Sequence, residues 1–186
     1  MAEVHEKSER RTLKTVVTFL EMTSRPVRPS RPVPLRKLAV LRAEDPPLHY
    51  YRYLYDTVGG PWNWTDRRIM DRDALQALIR DPNVEIYVLY VGGVPAGFAE
   101  LDFRREPEAE LALFGMMPDF IGQGLGSWFL DWAVEALWRS GIERVVVDSN
   151  AHDHPRAIAM YQRAGFSVVA RREAWLVPLE SLEGGT

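Results

Sequence analysis

No cysteine occurs anywhere in the 186 residues, which excludes disulfide bridges, thiolate zinc sites and a cysteine nucleophile. No apolar run reaches the roughly 18 residues that a membrane-spanning helix requires, so no membrane partner is expected. The Gly-Lys-Ser/Thr triplet of a phosphate-binding kinase loop is missing, and no internal repeat points to a solenoid or propeller. Positive charge is in short supply: 23 Lys and Arg face 26 Asp and Glu, and a net charge of -3 gives no general pull toward nucleic acid. The opening MAEVHEKSERR lacks the apolar segment of a secretory signal, and the location expected on that ground is cytoplasmic. What the chain does have is apolar mass: at 46% hydrophobic it can bury a core without covalent staples. A single domain is expected over residues 13–180, between a charged tail, 1–12, and a short tail, 181–186.

The densest information lies in AELALFGMMPDFIGQGLG, from Ala109 to Gly126. An apolar run reads as a strand, Pro118 removes a donor and stops the ladder, and Gly122, Gly124 and Gly126 let the backbone turn its N–H groups toward one point. Helical spacing follows from Gly124, with Leu125, Phe129, Trp132, Ala133, Ala136 and Leu137 on one face. Strand, glycine turn and helix N-terminus together favour a phosphate or pyrophosphate. Downstream, DHPRAIAMYQRAGF, from Asp153 to Phe166, reads as a helix opened by Pro155 and closed by Gly165.

These two segments resemble the GNAT (GCN5-related) N-acetyltransferase superfamily. Its acyl-CoA loop, Arg/Gln-x-x-Gly-x-Gly/Ala, is matched from the glycines of Ile121-Gly122-Gln123-Gly124-Leu125-Gly126 onward, with Ile121 in place of the usual Arg or Gln. Its later block, N-x-R-A-I-x-x-Y-x-x-x-G-F, is matched by His154-x-Arg156-Ala157-Ile158-x-x-Tyr161-x-x-x-Gly165-Phe166, with His154 in place of Asn. The resemblance covers about Val84 to Arg172. It implies an α/β fold with a mixed central sheet of about seven strands, a splayed parallel pair, and about four flanking helices.

The residues themselves give a compatible order. Leu13 to Met22 reads as a strand, and Ser24 to Arg36 as an exposed Pro/Arg-rich connection. Helices are expected over Pro46 to Asp56, with Leu48, Tyr51 and Tyr55 on one face, and over Met70 to Arg80. Val84 to Val91 and Val94 to Phe103 read as a hairpin around Gly92-Gly93. Ile142 to Asp148 reads as a buried strand, and Phe166 to Ala170 with Ala174 to Leu179 as a closing strand pair.

The resemblance also implies a chemistry: transfer of an acyl group, acetyl above all, from acetyl-CoA to a primary amine, without a metal. It implies CoA contacts from Phe114, Gly115, Met116 and Met117 on the strand and from Gly122, Gln123, Gly124, Leu125, Gly126 and Ser127 in the loop, with an N–H near Met116 for the oxyanion. Asn150 is a further polar candidate, and His154 stands where the family's Asn meets the CoA arm. His152, Asp153 and His154 could suggest a metal or a dyad, but no further ligands cluster, and Asp153 reads as the cap of the helix beginning at Pro155. An amine must lose a proton before it attacks, because an alkyl ammonium has a pKa of about 10.4, and Glu110 is the candidate base. Tyr161 is the candidate acid for the departing thiolate.

In the same family the acceptor groove is walled by the first two helices and their loop. Here that segment holds Tyr55, Trp62 and Trp64; the aromatic set can also be read as packing, but Trp62-Asn63-Trp64 falls on a loop and reads as groove lining, with Asp56 and Asp66 suited to an amine. A small amine, a polyamine, an aminoglycoside-like drug, a lysine or a protein N-terminus all fit as acceptor, and a homodimer is compatible with the family. The rival readings are two. A dinucleotide-binding oxidoreductase would use Gly122-x-Gly124 and Asp148, but its third glycine is Ser127, and Pro118 to Ile121 separates strand from turn. A non-catalytic acyl-CoA-binding sensor would keep the loop yet have no need of both Tyr161 and Glu110.

Overall fold

A computed structural model describes residues 12–27 and 31–183 of the chain. The charged tail up to residue 11, residues 28–30 of the Pro/Arg-rich connection and residues 184–186 of the C-terminal tail lie outside the described residues. Seven strands form one sheet in the order β2-β3-β4-β5-β6-β1-β7, with β1 Leu13–Met22, β2 Leu38–Arg42, β3 Val84–Val91, β4 Val94–Arg105, β5 Glu108–Met116, β6 Arg144–Asn150 and β7 Ser167–Leu176. Every neighbouring pair is antiparallel except β5 and β6. Helices α1 Leu48–Gly59 and α3 Arg72–Ile79 pack with Val84, Ile86, Val88 and Phe98 in one core, and α4 Leu125–Leu137 and α5 Ala157–Ala164 pack in the other. Two short helices, α2 Asp66–Ile69 and α6 Glu180–Glu183, complete the set, and none of the described helices is long and apolar enough to cross a membrane.

Local chemistry explains most boundaries. The β3–β4 hairpin closes with Val91 opposite Val94, and Gly92 and Gly93 both take the positive φ that its two-residue turn demands. Asp71 caps α3, its Oδ2 accepting from the N–H groups of Asp73 at 2.9 Å and Ala74 at 3.3 Å. α1 runs to Gly59, three residues beyond the expected end at Asp56, and buries Tyr51, Leu54, Tyr55 and Val58. On α4 the buried stripe is Leu125, Phe129, Leu130, Ala133, Val134 and Leu137, so Trp132 and Ala136 sit at its edge rather than within it.

Two strands differ from expectation. β2 was not anticipated: it is five residues long, follows the Pro/Arg-rich stretch without a turn signal, and pairs only with β3. The expected closing pair is one strand, β7, which carries Arg171, Arg172 and Glu173 through its middle. Charges that read as a turn are tolerated there because β7 is an edge strand, and Glu173 meets Lys14 of β1 at 2.7 Å. β6 is half-buried rather than buried, alternating Val145, Val147 and Ser149 inward with exposed Arg144 and Asp148.

The segment between α1 and α3 is fixed by a buried ion pair. Glu100 on β4 has no solvent exposure. Its Oε2 accepts from the Tyr51 hydroxyl at 2.6 Å and its Oε1 from Arg67 Nη2 at 2.7 Å. Arg67 also donates through Nε to Tyr51 and through its backbone N–H to the Tyr55 hydroxyl, both at 3.2 Å. Burial alone would lower the Arg67 pKa, but Glu100 and Tyr51 outweigh it and hold the guanidinium charged. Removing one partner strands a buried charge, so Arg67→Ala should cost about 3–5 kcal/mol, read as a lower urea midpoint at unchanged slope. Pairing it with Glu100→Leu should recover part of that loss. An unchanged midpoint for Arg67→Ala would show that the pair does not hold this segment.

Candidate active site

β5 and β6 pair for only three residues, Glu108 with Arg144, Ala109 with Val145 and Glu110 with Val146. Just beyond, β5 carries a bulge: Leu111 faces Leu101 and Leu113 faces Glu100, leaving Ala112 as the extra residue. A bulge bends its strand and sharpens the local twist, and here it turns β5 away from β6. Two grooves open at the gap, one of about 300 Å3 and one of about 350 Å3. Trp62, Trp64, Phe114, Asp153 and Tyr161 line both, so the grooves meet where the strands part.

The first groove is bounded by the glycine turn. Gly122 and Gly124 both have φ of +80°, a conformation L side chains rarely adopt. α4 has no side-chain cap, so the amides of its first turn remain available. Gly122, Gly124, Gly126 and Ser127 line this groove, as do Phe114, Gly115 and Met116 from β5. The side chains of three other expected residues point elsewhere. Met117 and Leu125 are buried in the cores, and Gln123 lies on the outside of the loop, its Oε1 accepting from Arg36 Nη1 at 2.5 Å and its Nε2 donating to the Asp119 carbonyl at 2.6 Å. Two cationic residues of α5 and its lead-in, Arg156 and Arg163, also line the groove. Sequence reasoning gave them no role. With Met160 they stand at i, i+4 and i+7, a helical spacing that could have revealed one face.

Asp153 does not cap α5. That helix begins at Ala157 with Arg156 as its uncapped lead-in residue. The Asp153 carboxylate is spent instead on a bridge: Oδ1 accepts from Trp64 Nε1 at 2.9 Å, and Oδ2 accepts from Ser149 Oγ at 3.0 Å and the Asn150 N–H at 2.8 Å. Pro155 lies in the turn before the helix, where His154 Nδ1 accepts from the Arg156 N–H at 3.1 Å. The His154 ring lines the first groove and meets Trp62 edge-on at 5.1 Å between centroids. Trp64 in turn packs against Gly59, where an added Cβ would come within 2.4 Å of its ring.

The second groove holds the charged groups. Glu110, Asp66, Asp102, Asp148, Arg67, Arg104 and Arg105 line it, along with Tyr55 and Asn150. Asn150 therefore sits on the side opposite the glycine turn, its Oδ1 accepting from Thr15 Oγ1 at 2.6 Å and the His152 N–H at 3.0 Å. Tyr55 is buried with its hydroxyl on the Arg67 amide, so its ring is wall rather than free contact. Asp56 pairs with Arg68 outside the groove. Burial pushes the Glu110 carboxyl above its ordinary range. Arg105 opposes this shift, and Asp148, Asp102 and Glu108 add to it. Asp148 is raised by desolvation and by Asp153 and Asp66. Burial, then Asp153 and Asp148, hold the Tyr161 phenol protonated well above its ordinary range. Among the described residues no hydrogen bond reaches the Tyr161 hydroxyl, and no fully buried side-chain N or O atom lacks a partner, so the hydroxyl faces open groove.

A splayed parallel pair, an uncapped helix behind a glycine turn on one side and carboxylates on the other define a two-substrate transferase fold. The chain belongs to the Acetyltransferase (GNAT) family, whose model matches residues 47–166. Mycothiol acetyltransferase of Propionibacterium freudenreichii is 36% identical over 69 residues, which are 37% of this chain and 22% of that protein. The chain thus matches about a fifth of the length of that curated relative. Among solved structures, a GCN5-related N-acetyltransferase from Sphaerobacter thermophilus aligns with a TM-score of 0.60 at 19% identity, covering 88% of this chain and 52% of that one. The ribosomal-protein-S18-alanine N-acetyltransferase of Escherichia coli aligns with a TM-score of 0.58 at 18% identity, covering 76% and 95%. At such identities the likeness shows the fold.

The raised carboxyls have a thermodynamic signature. Between about pH 4, where an ordinary carboxyl titrates, and the raised native values, the folded state binds more protons than the unfolded one, so stability falls as pH rises through that window. Glu110→Gln and Asp148→Asn remove this penalty. Each should melt at a higher temperature than the parent at pH 7, the gain fading below about pH 4. Equal melting temperatures at pH 7 would show that the carboxyls are not strained.

Proposed function

We propose that this chain is an acyl-CoA-dependent N-acyltransferase that moves acetyl from acetyl-CoA directly to a primary amine. The observation that carries this reading is Tyr161, a buried phenol with an unpartnered hydroxyl at the point shared by both grooves. The first groove fits the donor: two loop positions that only glycine adopts readily, the free amides of the α4 N-terminus and the Arg156 guanidinium suit a pyrophosphate. Acetyl-CoA supplies the activated thioester.

The chain's own groups then have separable tasks. The amides of Gly122 to Ser127 hold the phosphates, and the β5 edge at Phe114 to Met116, which has no strand partner on the β6 side among the described residues, offers main-chain groups to the pantetheine amides. Glu110, raised by burial, is a stronger base than an exposed glutamate and takes the proton that an ammonium must lose. Tyr161 keeps its proton at neutral pH and so remains a hydrogen-bond donor for the departing sulfur.

Calorimetric titration with acetyl-CoA and, as a contrast, NADH tests the donor class. Micromolar binding of acetyl-CoA without NADH is expected, and no acetyl-CoA binding would withdraw the reading. With an amine found by screening for free CoA release, Tyr161→Phe should lower kcat at least tenfold while acetyl-CoA affinity stays nearly constant. Undiminished turnover would refute the acid role and favour a bystander tyrosine.

A further inference from the structure

The charges of the second groove can be sorted by what already satisfies them. Arg67 is spent on Glu100, and Arg104 grips Asp102 through both Nε and Nη2. Asp153 is spent on Trp64, Ser149 and Asn150. Arg105 stands 3.8 Å from Glu110, beyond hydrogen-bond reach, on a side chain that is 70% exposed. What is left is three carboxylates, Glu110, Asp66 and Asp148, against the single exposed guanidinium of Arg105. Asp66 and Asp148 have no hydrogen bond or ion pair among the described residues, and both stand exposed on the wall of this one groove.

The reacting amine does not account for them. It must be neutral when it attacks, and Glu110 already takes its proton. Two carboxylates with no partner on the protein are matched instead by a cation that stays charged throughout the reaction. A second feature of the same groove points to a ligand: the Tyr161 side chain, 6% exposed, turns an unpartnered hydroxyl into it. Trp62 adds an aromatic face on which an ammonium or guanidinium can rest.

We infer that Asp66 and Asp148 form a subsite for a second, non-reacting cation, so that the acceptor is a diamine or a larger polycation rather than a monoamine. The inference rests on the acyl-transfer reading for the word acceptor, though not for the subsite itself. Glu110 sets the nucleophilic end, and Asp66 with Asp148 sets the distal end, so the groove measures the spacing between two charges.

Binding without the acyl donor tests this directly. Wild-type protein is titrated calorimetrically with 1,4-diaminobutane and with butylamine, which share a carbon chain and differ in one ammonium. The diamine should bind at least tenfold more tightly, and Asp66→Asn combined with Asp148→Asn should bring the two ligands within about twofold of each other. In the wild type alone the diamine's advantage should shrink severalfold between about 20 and about 300 mM sodium chloride, because screening weakens a charge contact but not the shared hydrocarbon. Equal affinities for the two amines, no diamine binding, or an advantage that survives salt or both substitutions would overturn the subsite. Acetyl-CoA titrated into the same wild-type sample reads the transfer reading separately. A diamine advantage without acetyl-CoA binding would leave the subsite and remove the transferase, and the reverse result would do the opposite.

Discussion

Parallel strands that stop pairing after three residues impose a debt that the rest of this fold settles. Once β5 leaves β6 at Glu110, its main-chain groups lose a strand partner, and an unpaired backbone edge inside a protein must find another donor or acceptor. The bulge at Ala112 makes the separation structural rather than incidental, since the extra residue commits β5 to pair with β4 while bending it off the line of β6. α5 projects Tyr161 into the wedge and fills its apolar part, and the glycine turn brings the start of α4 against its mouth. The two grooves are consequences of this single failure to pair, and so is the fact that five residues belong to both.

Carboxylates show how position divides one chemistry into two fates. Glu100 is more buried than any acid of the grooves, yet it is quiet: two donors reach it, and its partner Arg67 is itself held by Tyr51. Such a cluster fixes the path of α2 and with it the wall that Trp62 and Trp64 present. Glu110 and Asp148 are less buried and less well served, and each is raised in part by other acids. A fold that wanted only stability would pair them, as it pairs Glu100. Leaving them beside a cavity raises both, by desolvation first and by neighbouring acids second, which is the perturbation that marks functional sites.

Local patterns carried the fold a long way. The Gly92-Gly93 hairpin, the capped α3, the apolar strand before Pro118 and the glycine turn all depend on residues adjacent in sequence, and each lies where its local signal placed it. What escaped was decided by neighbours in space. β2 exists because β3 offers an edge, and β7 runs unbroken through three charged residues because it has water on one side and β1 on the other. Asp153 reads locally as a helix cap, but Trp64 Nε1, 89 residues away in sequence, competes for the same carboxylate and wins. Glu100 carried no local signal: it is an acid inside the buried stretch 96–103 of β4, and only the approach of Arg67 and Tyr51 from separate helices explains it.

The Asp153 bridge bears on how the two grooves could act together. Trp64 sits on the loop after α1, while Ser149 and Asn150 end β6, so one carboxylate ties the wall of the second groove to the turn that carries His154 and Arg156 into the first. Its three hydrogen bonds come from both sides of the wedge and converge beside Tyr161. Charge at Asp153 also helps to hold the Tyr161 phenol protonated. Trp64 and Asp153 line both grooves, so the wall that the two share is held by a single hydrogen-bonded carboxylate. Because Gly59 admits the Trp64 ring only for want of a Cβ, the bridge depends on a position whose side chain is absent. The geometry that joins the two grooves is thus written in Gly59, Trp64 and Asp153, far apart in sequence and meaningful only when the strands between them part.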